Sequence, residues 1–95
     1  MWAKWEPLRD RMHQAARSAT VPVFFLQAKN DFDTSPSLAL AEDMEVAKKA
    51  HRMHIYEAHG KTPMAGHGGF CLRGMPQWGD DVLEFLNDSF SGRAK

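Results

Sequence analysis

With 95 residues, 43% of them hydrophobic and 25% charged, the chain has the composition of one small globular domain rather than of a disordered segment. Its twelve basic and twelve acidic residues cancel, so there is no broad basic field to attract nucleic acid or a membrane surface, and neither partner is expected. Cys71 is the only cysteine, which excludes an internal disulfide framework.

The opening stretch, MWAKWEPLRDRM, lacks the apolar core of a signal peptide. The longest apolar run, residues 21–26, falls far short of the ~20 residues that span a bilayer. A soluble, reducing, cytoplasmic setting is therefore expected. Trp2, Trp5, Leu8, Met12 and Ala16 recur at three- and four-residue spacing and predict an amphipathic helix to about Ser18. Pro7 suits only the first turn of such a helix. VPVFFLQA (21–28) is β-branched, aromatic and apolar on both faces, as a buried parallel strand should be, with Pro22 at its start.

KNDFDTSPS (29–37) is turn chemistry, ending in Ser35 as a helix cap and Pro36 at the first helical position. Leu40, Ala41, Met44 and Ala47 carry a second helix to about Ala50. RMHIYEA (52–58) alternates and predicts a second strand. Residues 59–74 are rich in glycine and predict a long loop. Trp78, Val82, Phe85 and Leu86 mark a last helix, and residues 89–95 a polar tail. Two strands joined through a helix predict a right-handed parallel crossover. Since parallel strands usually sit inside larger covered sheets, the pattern predicts one end of a bigger α/β sheet.

Ligands of open parallel sheets bind beyond the carboxyl ends of the strands. Asp31 follows the first strand. His67 follows the second, in AGHGGF (65–70), where three glycines leave room beside one imidazole. A carboxylate bonded to one ring nitrogen fixes the tautomer and makes the other a general base, so the expectation is a hydrogen-bonded Asp31–His67 pair.

From VPVFFLQAKNDFDTSPS through AGHGGF to WGDDVLEFL, the chain resembles the C-terminal part of an α/β-hydrolase, closest to the dienelactone hydrolase family. The resemblance implies the terminal βαβα portion of a three-layer α/β sheet, with two strands and three helices, residues 1–95 forming one partial domain. It implies Asp31 as the catalytic acid and His67 as the catalytic histidine, no metal or cofactor, and a carboxylic ester or lactone as substrate. The family's nucleophile elbow, G-x-S-x-G or its cysteine form, is not found in this sequence. The isolated chain is accordingly expected to be inactive. The alternative is a non-catalytic interaction module or truncated product, in which the unpaired sheet edge meets a second copy or a complementary hydrolase fragment.

Other residues read more plainly. Asp33 is expected as a turn or helix-start residue. His59 is expected to face solvent, and Cys71 to be a small packed hydrophobe. Trp2, Trp5 and Trp78 are expected in the core. His51 and His54, three apart on a strand, fall on opposite faces. A zinc site from His59, His67 and Cys71 lacks any compact ligand spacing, and GKT (60–62) lacks the upstream glycine of a phosphate loop.

Overall fold

A computed structural model describes residue 2 and residues 4–91. The elements in chain order are α1 (Glu6–Arg17), β1 (Val23–Ala28), α2 (Ser35–Val46), β2 (His51–Tyr56), a π-helical turn (Ala65–Gly69), α3 (Phe70–Arg73) and α4 (Met75–Phe90). The two strands form one parallel sheet, with Val23 opposite His51 and Ala28 opposite Tyr56. Their carboxyl ends are therefore level. The Lys29 N–H donates to the Tyr56 carbonyl at 2.8 Å and extends the pairing one step past β1.

Strand alternation divides the interior in two. Val23 and Phe25 face α1 and α2, packing on Ala16, Leu40 and Met44, with Trp2 and Ala19 at the margin. Leu26 and Ala28 face the other way, where Ala28, Tyr56 and Phe70 form a second cluster with Trp78. Phe24 meets Phe85 of α4 on that same side at 5.3 Å between ring centroids. Met44 and Phe70 are the largest fully buried side chains, each worth roughly 1.5–3 kcal/mol relative to exposure. The α/β architecture and the parallel pair agree with the sequence pattern.

The helix count does not. Among the described residues there are four α-helices rather than three, because residues 63–73 are helical and not an open loop. Glycine disfavours helix by roughly 1 kcal/mol per residue. Here burial of Phe70 under Tyr56 and His59 holds the turn in place. The Thr62 hydroxyl starts it, accepting from the Ala65 N–H at 3.1 Å. Several boundaries also move. Helix α1 begins at Glu6, and α2 ends at Val46 because Lys48 turns left-handed at φ 57°. The cap position of α2 is Thr34, not Ser35, and the Thr34 side chain makes no capping bond. Ser89 and Phe90 belong to α4, while residues 92–95 of the expected tail lie outside the described residues.

The expected tryptophan core holds for two of three. Trp2 and Trp78 pack against the two clusters, but Trp5 is 55% exposed. Helix α1 packs on α2, which leaves its first turn uncovered. Cys71 is exposed, not packed, since α3 turns its neighbour Phe70 inward. Among the described residues no helix is long and apolar enough to cross a membrane.

Candidate functional site

Asp31 stands three residues past β1 in a turn whose Asp31 N–H donates to the Ala28 carbonyl at 3.0 Å. Its side chain is only 10% exposed. A carboxylate that far from water needs donors, and three supply them. Oδ1 accepts from the Phe32 N–H at 2.6 Å and from His67 Nδ1 at 3.0 Å. Oδ2 accepts from Gln27 Nε2 at 3.0 Å. An ionised carboxylate only accepts, so His67 carries its proton on Nδ1. In the neutral ring Nε2 is then the lone-pair nitrogen. His67 itself is 64% exposed, so the acid is buried and the base is open.

Gln27 was not singled out by the sequence, though a lone amide in an apolar strand is a signal. It donates to Asp31 and to the Asp33 carbonyl (2.9 Å) and accepts from the Ser37 N–H (3.3 Å) at the start of α2. One side chain thus ties the acid to its strand, its loop and the following helix. Asn30 does the matching work across the gap between loops. Its Nδ2 donates to the carbonyls of His59 (2.8 Å) and Thr62 (3.0 Å), and its Oδ1 accepts from the His59 N–H at 2.9 Å. The loop after β2 is pinned to the loop after β1, and that brings His67 within reach of Asp31.

The glycines act differently from expectation. Gly68 borders open space, and Gly69 makes ordinary contacts, so neither is required to clear room for the imidazole. Gly66 is the demanding position, passing close over Asn30. His67 sits within the π-helical turn rather than on a free loop. Such turns are uncommon and occur often at functional sites.

The rival residues are accounted for. His59, expected to face solvent, is half-buried: its Nδ1 donates to Gln77 Oε1 at 2.8 Å and its ring meets the Phe70 ring edge-on at 6.2 Å. It braces the helical turn because its chain position, just past β2, lies over Phe70. Asp33 is a turn residue, as expected. The Ser35 hydroxyl, followed by the Ser35 backbone N–H, hydrogen-bonds its carboxylate and lowers its pKa below the ordinary value. His51 lies near Glu45 of α2, whereas His54 stacks on Tyr56 of the opposite face. No group of three His, Cys, Asp or Glu side chains able to hold a metal ion occurs among the described residues. Nor, among them, does a hydroxyl or thiol hydrogen-bond His67.

A cavity of about 520 Å³ opens beside the pair, lined by Trp2, Gln27, Asp31, Phe32, Asp33, Pro36 and His67. The Phe32 ring stands edge-on to His67 at 5.8 Å, with 68° between the planes. A buried acid, an open imidazole and an apolar hollow beside it form a proton-accepting site with room for a small organic ligand. Comparison with protein-family models, with curated proteins and with solved structures finds no match to this chain.

Proposed function

We propose that this chain supplies the acid–histidine part of a hydrolase site of the dienelactone hydrolase kind, acting on a carboxylic ester or lactone. In this reading residues 1–95 are a partial α/β-hydrolase domain, and the nucleophile comes from outside this sequence. Asp31 holds His67 in the Nδ1–H tautomer, and His67 Nε2 takes a proton from the attacking hydroxyl or thiol and returns it to the leaving group. The observation that carries the reading is the 3.0 Å contact between Asp31 Oδ1 and His67 Nδ1 beyond two level parallel strands. Neighbouring apolar surface on Trp2, Phe32 and Pro36 suits the organic portion of such a substrate.

The direct test is nitrogen NMR of the histidine rings. At a pH where His67 is neutral, its proton should reside on Nδ1, and Asp31→Asn should abolish that preference. A His67 found as the Nε2–H tautomer in the unmodified protein would sink the reading.

A second reading, an interaction module, is favoured by a separate observation. Val46, Leu72, Leu83 and Phe90 are all strongly exposed, and a two-stranded parallel sheet leaves outer strand edges unpaired. Self-association or pairing with a complementary fragment would cover them. Light scattering over a range of concentrations distinguishes this reading: a monomer at every concentration argues against self-association.

A further inference from the structure

We propose that the cavity beside Asp31 and His67 selects a ligand bearing a positively charged nitrogen on a small apolar or aromatic body, so that the substrate of the proposed hydrolase site is an ester or lactone of an organic ammonium compound. The ligand class rests on reading the pair as the reacting end of that site, but the cavity chemistry is independent of it. Two aromatic side chains, Trp2 and Phe32, and Pro36 supply its apolar surface. Phe32 is 62% exposed, an unusual position for a phenylalanine with no partner cluster to join. Trp2 is fixed at two points. Its carbonyl accepts from Arg9 Nη1 at 3.1 Å and its ring packs on His13 at 5.5 Å.

The charges of the cavity are all of one sign apart from the imidazole. Asp31 and Asp33 line it, and among the described residues no lysine or arginine does. Asp31 is already surrounded by donors from Gln27, Phe32 and His67. Asp33 is the carboxylate available to a ligand: both its donors come from Ser35, the hydroxyl and the N–H (2.9 Å to Oδ1), and the group stays ionised to lower pH than an ordinary aspartate. An anionic ligand meets two carboxylates and no countercharge. A neutral aromatic gains only the apolar walls. A cation gains the aromatic walls of Trp2 and Phe32 and the Asp33 carboxylate together.

Phenyltrimethylammonium, benzyl alcohol and benzoate serve as probes of the three charge types at constant ionic strength. Binding is followed through the Trp2 indole and His67 ring resonances of the intact chain. The expected result is that the ammonium compound binds about tenfold tighter than either of the others, a difference of about 1.4 kcal/mol. Asp33→Asn keeps the oxygen that accepts from Ser35 and should remove most of that advantage. Equal or tighter binding of benzyl alcohol or benzoate overturns the proposal, as does an unchanged preference in Asp33→Asn or a response confined to other residues. His67→Ala separates the two readings. Followed at Trp2, the ammonium preference should survive it, and its loss there overturns the proposal; an unmodified chain that shows no ammonium preference while its His67 keeps the Nδ1–H tautomer defeats the ligand class alone and leaves the hydrolase reading standing.

Discussion

Asn30 occupies the space into which residue 66 would extend a side chain: an ideal Cβ on Gly66 would lie 2.5 Å from both Cγ and Oδ1 of Asn30. The same asparagine makes the hydrogen bonds that join the two loops. The contact therefore sets how closely the His67 turn approaches the Asp31 turn. Gly66→Ala should destabilise the fold by about 1–3 kcal/mol, as overpacking does, and should separate the pair. Gly68→Ala, which meets nothing within 4 Å, should be neutral or stabilise by up to about 1 kcal/mol through helix propensity. Urea unfolding of both variants checks the contrast, and equal effects would refute it.

A buried carboxylate away from the site also ties α1 to α2. Asp43, with its side chain 10% exposed, accepts from His13 Nδ1 and takes both Nε (3.2 Å) and Nη2 (3.1 Å) of Arg17 on Oδ1. Asp43→Ala should cost about 1.5–3 kcal/mol, because it removes the charged acceptor shared by His13 and Arg17. Arg17→Ala should cost less than about 1 kcal/mol, since that side chain is mostly in solvent. Denaturant midpoints rank the two, and a reversed order would show that the arginine, not the aspartate, carries the tie.

Tyr56 is the only tyrosine, so the phenolate absorbance reports one group. Burial, then its hydrogen bond to Asp81 Oδ2 (2.7 Å) and the charge of that carboxylate, push its pKa well above the ordinary ~10. Because the folded value is raised, the stabilisation is fully present below pH ~10 and is lost as pH climbs through the folded value. The native protein should show little phenolate until alkaline unfolding begins, and Asp81→Asn should shift the onset lower. Ordinary titration near pH ~10 in the folded protein would contradict the burial and the bond together.

The chain on its own should hydrolyse a p-nitrophenyl ester no faster than free imidazole at equal concentration, because no hydroxyl or thiol is hydrogen-bonded to His67 among the described residues. A stoichiometric burst removed by a serine- or cysteine-directed reagent would identify a nucleophile in this sequence, with exposed Cys71 the first to test by Cys71→Ala.

Much of this was legible because strand order and side-chain type carry it. VPVFFLQA, β-branched, aromatic and apolar on both faces, reads as a buried parallel strand, and the loops that follow neighbouring parallel strands leave from one edge of the sheet. That is why Asp31 and His67 could be paired before any distance was known. The helical turn at 63–73 was not legible. Its glycines argue locally for a loop, and only tertiary terms, the burial of Phe70 and the fit over Asn30, reverse that preference. Gln27 and Asn30 were missed for a related reason. The role of each exists only once separate segments converge on it, three at Gln27 and two at Asn30.

The sheet, two strands wide among the described residues, divides the interior into two clusters and so places the two members of the dyad on different ones. Asp31 is bound through Gln27 to the half built on α2, and His67 rides the turn anchored by Phe70 in the other. Contact between the two side chains thus depends on the packing of both clusters. A substitution that loosens either cluster is therefore expected to weaken the dyad even where it touches neither Asp31 nor His67.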